Sequence, residues 1–206
     1  MADCCNDKAC EIDALRGRQS ATLKAVLGIN AVMFMIELAA GLVSGSLSLM
    51  ADSLDMLGDA LVYGFSLYVV ARGARMKAMA ALFKGGIMAA FGLFVLGQAG
   101  YKILAPQVPA FEAMGAIGAL ALAANGVCLF LLWRHRADDI NMRSVWLCSR
   151  NDIIANAAVL FAGLGVWLSG AAWPDILVGL AIAALFLKSS LSVLREAMAE
   201  LRTVHV

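Results

Sequence analysis

Long apolar runs separated by short polar links make up most of the chain. A helix that crosses a membrane needs roughly 20 apolar residues, and six stretches reach that length. They are residues 22–44, 47–71, 79–103, 111–133, 145–168 and 174–197. The pattern predicts an all-α, polytopic membrane protein whose six transmembrane helices lie in a lipid bilayer.

Small residues punctuate this pattern. The sequence Ser-Gly-Ser at 44–46 leaves room for only a hairpin turn between the first two predicted helices. Gly41 with Gly45, and Gly179 with Ala183, are spaced four residues apart, and such pairs let membrane helices approach closely. We therefore expect a tight first hairpin and close helix contacts.

Positive charges are distributed unevenly between the two ends of the predicted helices. Most lysine and arginine residues flank one side, while the opposite flanks hold little beyond Lys102. By the positive-inside rule both termini are cytoplasmic, which an even number of helices also requires. We divide the chain into a cytoplasmic N-terminal tail (1–20), a six-helix transmembrane domain (21–197) and a short cytoplasmic C-terminal tail (198–206).

The composition supports this class of protein and argues against others. Hydrophobic residues make up 62% of the chain and charged residues 15%, whereas soluble domains are about 45–50% apolar. The net charge of +1 gives no reason to expect a nucleic-acid partner. The two histidines, His135 and His205, lie at the flanks of apolar runs and form no HExxH motif, so we do not expect an enzyme.

Three aspartates interrupt the second apolar run: Asp52, Asp55 and Asp59. An acid at the centre of a membrane helix costs about 2.5–3.5 kcal/mol, so a functional role is the first hypothesis. Asp55 and Asp59 are four residues apart, which places them about 40° apart on one helix face and about 6 Å apart along the axis.

The fifth predicted helix repeats this spacing with Cys148 and Asp152. Because helices pack about 8–10 Å apart, two such pairs that face each other bring three carboxylates and one thiolate to a single point. Four ligands suit a tetrahedral zinc ion. The sequence therefore predicts a site for a divalent metal ion at Asp55, Asp59, Cys148 and Asp152, and no resident cofactor.

Structural roles are the alternative for these polar residues. Lys84 and Arg150 also lie in apolar runs, so buried ion pairs with the acids remain a second interpretation. A single membrane cysteine such as Cys148 is usually a small apolar residue. Asp52 either lines an exit path or hydrogen-bonds between helices, and Asn156 is a candidate to support the metal ligands from one turn beyond Asp152.

Other polar residues have weaker claims to a function. For Glu37, Asn30 and Asn125, hydrogen bonding between helices is the favoured interpretation. Near the N-terminus, Cys4, Cys5 and Cys10 would either capture soft metals or have no role in a flexible tail. Their spacing matches no established zinc pattern, which slightly favours the second interpretation.

These stretches resemble the cation diffusion facilitator family, which exports divalent metals. The resemblance rests on NAVMFMIELAAGLVSGSLSLMADSLDMLGD, from the first helix into the second, and on CSRNDIIAN in the fifth. It covers about residues 20–197 and places Asp55 with Asp59, and Cys148 with Asp152, on the family's two metal-binding pairs. It also implies a homodimer, and we expect a multi-pass protein of a bacterial plasma membrane.

The chain departs from the family pattern in two places. Cys148 stands where relatives usually have His or Asp. Family members also usually carry a cytoplasmic C-terminal domain, which we do not expect here because only residues 198–206 follow the transmembrane region.

The clustered ligands suggest how transport would be driven. Metal ligands must be deprotonated, and closely packed acids repel one another when all are ionised. Metal from the cytoplasm would displace protons, and protons from outside would release the metal. The resemblance implies the same metal/proton antiport, and thiolate favours zinc or cadmium. The alternative function is proton-coupled export of small organic cations.

Overall fold

The computed structural model describes the backbone of residues 3–69, 74–133 and 140–203. Side chains are described for residues 21–61, 63–64, 79, 82–83, 85–133 and most of 152–202. The described chain forms six helices and no strands, which confirms the predicted all-α class. They are α1 (Asp3–Ser44), α2 (Leu47–Val69), α3 (Ala74–Leu104), α4 (Phe111–Trp133), α5 (Ile140–Ser169) and α6 (Trp173–Thr203).

The helix ends agree closely with the predicted apolar runs at most positions. The ends of α1, α3, α4 and α5 on the predicted outer side fall within one residue of the expected boundary. At the predicted cytoplasmic side two helices extend well beyond their apolar runs, since α1 begins at Asp3 and α6 continues to Thr203. Both extensions fall within the segments assigned to tails.

Within the residues that the structure describes, five helices are long and apolar enough to cross a membrane. Their spanning stretches are Ala21–Ser44, Gly85–Leu104, Phe111–Trp133, Asp152–Ser169 and Trp173–Ala199. The exception is α2, whose apolar sequence carries three aspartates. The chain is therefore a polytopic membrane protein.

The α2 helix is the centre of the bundle. It contacts α1, α3, α5 and α6, while α4 packs against α1 and α5. Leu47, Leu49, Met50 and Leu54 of α2 are each no more than 2% exposed. Large apolar side chains on the outer faces of the other helices are exposed, as lipid-facing residues must be. The aspartates of α2 are therefore carried into the interior of the protein and away from lipid.

The turn between α1 and α2 is as tight as the sequence predicts. Gly45 has a φ of 67°, a left-handed conformation that glycine adopts without steric cost. The Ser46 amide donates to the Gly41 carbonyl at 2.9 Å, the bond expected for a Schellman helix end. At Gly41 a Cβ atom would lie 2.9 Å from the Met50 nitrogen, so only glycine permits the two helices to pack this closely.

A buried carboxylate from α6 caps the start of α2. Asp175 accepts hydrogen bonds from the amides of Leu47 at 2.7 Å and Ser48 at 2.9 Å, and from the Ser46 and Ser48 hydroxyls at 2.7 Å each. The Ser46 hydroxyl in turn accepts from the Leu49 amide at 3.2 Å. The first three amides of α2 are thus all satisfied. These contacts fix α2 to α6 at the end of the bundle that holds the α1–α2 turn.

Candidate metal-binding site

Carboxyl groups from α2 and α5 meet inside the bundle. Asp152 of α5 lies within hydrogen-bonding reach of the carboxyl group of Asp59 on α2. The hydroxyl of Tyr63, a residue only 1% exposed, donates to Asp59 Oδ2 at 3.0 Å. Two carboxyl groups this close repel each other unless a proton or a cation lies between them. The pair is therefore a place where a positive charge is required.

Asp55 lies one helical turn from Asp59 on α2. Its carboxyl group is close enough to interact electrostatically with Asp59 and with Asp152. The i, i+4 spacing holds because α2 is helical from Leu47 to Val69 without a break. Three of the four predicted metal ligands thus lie near one another at the contact between α2 and α5.

A ladder of amides supports the next acid along α2. Asp52 is fully buried, and both of its carboxylate oxygens accept from Asn156 Nδ2 of α5 at 3.1 Å. Asn156 Oδ1 accepts from Asn125 Nδ2 of α4 at 3.2 Å. Because the ladder crosses three helices, it fixes the rotation of α5 about its own axis. It thereby orients Asp152, which lies one turn from Asn156.

Glu37 of α1 lies beside these acids without such support. Its side chain is 0% exposed. Neither carboxyl oxygen has a hydrogen-bond partner among the residues that the structure describes. Its electrostatic neighbours are Asp52 and Asp55. The expectation that Glu37 hydrogen-bonds between helices is therefore wrong within the described residues, because its carboxyl group faces other acids and no donor reaches it.

The similarity of this chain to a known family extends over most of its length. Residues 23–202 match the family described as the cation efflux transmembrane domain, which is most of the sequence. The chain belongs to the cation efflux family. This match confirms the resemblance to cation diffusion facilitators on which the predicted ligand pairs rest.

Several cation efflux proteins are similar to this chain over most of its length. The metal cation efflux system protein CzcD of Cupriavidus metallidurans is 23% identical over 199 residues, covering 87% of this chain and 63% of that protein. The zinc transporter ZitB of Escherichia coli is 24% identical, covering 84% of this chain and 60% of ZitB. A cadmium, cobalt and zinc/H⁺-K⁺ antiporter of Bacillus subtilis is 22% identical, covering 85% and 62%.

The alignments cover a larger share of this chain than of its cation efflux relatives. The chain spans 60–63% of the length of those three proteins. The match shows that the transmembrane domain is shared, and it does not extend to the activity of the whole relatives.

Part of the predicted site lies outside the described side chains of this cation efflux domain. These residues are Cys148, Lys84 and Arg150. The backbone of α5 is helical from Ile140, so Cys148 lies one turn before Asp152. Among the described residues, no three His, Cys, Asp or Glu side chains are close enough together to hold one metal ion. The described part of the site is therefore a pair of acids in contact, with a third acid nearby.

Some residues near the site have no role in the sequence-based prediction. Tyr63 continues the same i, i+4 face of α2 beyond Asp59, so helix spacing alone was a sufficient signal for it. Cys128 of α4 is a buried thiol within electrostatic range of Asp59 and Asp152. It also accepts from Asn30 Nδ2 at 3.9 Å. The inter-helix hydrogen bonds predicted for Asn30 and Asn125 are thus confirmed, but no sequence signal linked Cys128 to the acids.

Proposed function

We propose that this cation efflux domain exports divalent metal ions, with zinc or cadmium as substrate, in exchange for protons. The observation that carries the proposal is the contact between the Asp59 and Asp152 carboxyl groups, with Asp55 one turn away. The site is built from two different helices at the centre of a membrane bundle. An ion that binds there is held away from lipid and is released when the two helices separate.

The carboxyl contact accounts for the exchange of metal against protons. A divalent cation between Asp59 and Asp152 requires both groups to be ionised. When the cation leaves, the repulsion between the two carboxylates is relieved by proton uptake. Metal binding and protonation of the site therefore exclude each other. As a result, a proton gradient directed toward the cytoplasm drives metal outward.

The choice of metal rests on the ligand types. Carboxylate ligands alone suit hard ions such as manganese, and a thiolate shifts the preference toward zinc and cadmium. Cys148 on α5 would supply this thiolate as the fourth ligand. The relatives point in the same direction, since they include a zinc transporter and a cadmium, cobalt and zinc antiporter.

Export of an organic cation is less well supported. Such a substrate needs an aromatic or apolar cavity beside the acids. The structure has an apolar cleft of about 600 Å³ along one face of α3. None of the acids lines this cleft, whose residues are Met79, Leu82, Phe83, Gly86, Ile87 and Ala90.

Transport into inside-out membrane vesicles tests the proposal. An imposed pH gradient, acidic inside, is expected to drive ⁶⁵Zn²⁺ uptake by the wild-type protein, and collapse of the gradient stops the uptake. Asp152→Asn keeps the size of the side chain but removes the charge that faces Asp59. We expect this variant to lose most of the zinc uptake, and Cd²⁺ to compete with ⁶⁵Zn²⁺ in the wild type.

The matched control is Glu112→Gln on α4. This acid is exposed in the first turn of its helix, so neutralising it is expected to leave zinc uptake unchanged. Wild-type uptake that ignores the pH gradient would refute proton exchange. Equal uptake by wild type and Asp152→Asn would refute the proposed site, and export of an organic cation such as ethidium by both would favour the alternative substrate.

A further inference from the structure

Glu37 is the polar side chain that the proposed mechanism leaves unexplained. An acid buried without a hydrogen bond is costly in any protein, and more so in a membrane. Glu37 is fully buried, and both of its carboxyl oxygens lack a partner among the described residues. When it is ionised, a carboxylate in this position needs a cation beside it, and the described residues do not supply one.

The position of Glu37 along the membrane normal matches that of two acids on α2. Since α1 and α2 are joined by a tight turn, depth can be counted from that turn at about 1.5 Å per residue. Glu37 then lies about 10 Å deep, between Asp52 at about 8 Å and Asp55 at about 12 Å. Asp59 lies deeper, at about 18 Å. Glu37 is thus level with Asp52 and Asp55, the two aspartates of α2 that lie nearest the α1–α2 turn.

The carboxyl group of Glu37 lies close to both of these aspartates. It interacts electrostatically with Asp55 and Asp52. Asp52 already accepts two hydrogen bonds from Asn156, whereas no described residue donates a hydrogen bond to Glu37. Asp55 also neighbours the Asp59–Asp152 pair, so it lies between Glu37 and the predicted metal site.

We propose that Glu37 and Asp55 form a second position for the divalent cation, displaced from the Asp59–Asp152 pair toward the α1–α2 turn. This inference rests on the proposed function and adds a step to it. Asp55 belongs to both positions, so the ion is passed along α2 without ever being surrounded by apolar side chains. Glu37 replaces Asp152 as the second carboxylate when α5 moves away, and water completes the coordination.

Cation binding in the absence of transport gives the first test. Cd²⁺ is titrated calorimetrically into purified Asp152→Asn, which lacks the main pair, and into the double variant Asp152→Asn/Glu37→Gln. We expect the single variant to keep a weakened Cd²⁺ site and the double variant to bind at least about tenfold more weakly still. Equal binding by both variants, or no binding by Asp152→Asn, would overturn the second position.

Transport by the Glu37 variants gives the second test. Glu37→Gln in the otherwise wild-type chain is expected to bind Zn²⁺ at the main site within about threefold of wild type while zinc efflux falls about tenfold. Glu37→Asp keeps the charge and should retain more efflux than Glu37→Gln. If Glu37 had only a structural role, Glu37→Gln would lower the thermal unfolding midpoint and the Zn²⁺ affinity together. Partial recovery of zinc efflux in Glu37→Asp would refute such a structural role.

The outcomes separate this inference from the proposed function. If wild-type vesicles carry no zinc, the proposed function itself fails. If wild-type vesicles carry zinc and Glu37→Gln carries it equally fast, only the second position fails. Glu112→Gln, an acid-to-amide change on an exposed face of α4, is the control for a general effect of net charge.

Discussion

Asn156 donates from one amide nitrogen to both carboxylate oxygens of Asp52, at 3.1 Å each. This contact and the Asp59–Asp152 contact lie on the same pair of helices, α2 and α5. Among the described residues, α2 approaches α5 over a shorter stretch than it approaches α1 or α6. The two polar contacts therefore hold a short interface together, and a movement of α5 away from α2 breaks both.

Replacing Asn156 with leucine is expected to disturb the site without touching a predicted metal ligand. Leucine has a similar volume but no amide, so both oxygens of the buried Asp52 carboxylate lose their donor. An unsatisfied buried acceptor costs about 1–3 kcal/mol, and more when it is charged. We expect a lower thermal unfolding midpoint in detergent and a Zn²⁺ affinity reduced about tenfold or more by calorimetry.

The matched control for this change is Asn30→Leu. Asn30 is also buried, and its Nδ2 donates to the Val26 carbonyl of its own helix and weakly to Cys128. Because Asn30 supports no carboxylate, its replacement should affect Zn²⁺ affinity less than Asn156→Leu does. Equal losses of affinity in both variants would show that the Asn156 effect is general destabilisation.

Tyr63→Phe removes the hydroxyl that donates to Asp59 and keeps the ring. A hydrogen bond to a charged group contributes about 1.5–3 kcal/mol, and donors that orient a metal ligand commonly affect metal affinity by about 10–100-fold. We expect Zn²⁺ to bind at least about tenfold more weakly to this variant. Tyr101→Phe makes the same change at a residue that is 60% exposed and should bind as wild type does. Unchanged affinity in Tyr63→Phe would mean that the hydroxyl does not hold Asp59 in its binding orientation.

Asp175→Ala tests the cap on α2. The change leaves the amides of Leu47 and Ser48 without their acceptor in a buried position, so we expect a loss of about 2–4 kcal/mol in stability. Asp175→Asn keeps one acceptor oxygen and should lose less. Thermal unfolding in detergent measures both, with Glu112→Ala, an exposed acid in the first turn of α4, as the control. A midpoint for Asp175→Ala equal to that of the control would show that the cap contributes little.

The sequence predicted what depends on local helix geometry. The length of the apolar runs predicted six helices, and these are confirmed. The four-residue spacing placed Asp55 and Asp59 on one face of α2, because an uninterrupted helix permits no other arrangement. The tight α1–α2 turn followed from Gly45, since few other residues adopt its positive φ.

Contacts between distant helices could not be predicted in the same way. Asp175 is separated by 128 residues from Leu47, whose amide it caps, and neither residue indicates the other. The placement of Glu37 beside Asp55 depends on how α1 is rotated against α2, and an apolar run does not specify that rotation. The sequence therefore identifies Glu37 as a polar residue within an apolar run, but it does not predict that Asp52 and Asp55 are its neighbours.

The close approach of α2 and α6 gives a prediction about packing at Gly179. A Cβ atom at this position would lie 2.9 Å from the Leu47 carbonyl carbon, which is backbone and cannot rotate away. Gly179→Ala should therefore push α6 from the start of α2 and lengthen the hydrogen bonds that Asp175 accepts there. We expect a loss of about 1–3 kcal/mol in stability, seen as a lower unfolding midpoint. Gly97→Ala, where nothing lies within 4 Å of the added Cβ, should be neutral or slightly stabilising because alanine favours helix. If both variants unfold at the wild-type temperature, the α2–α6 contact tolerates separation and glycine is not required there.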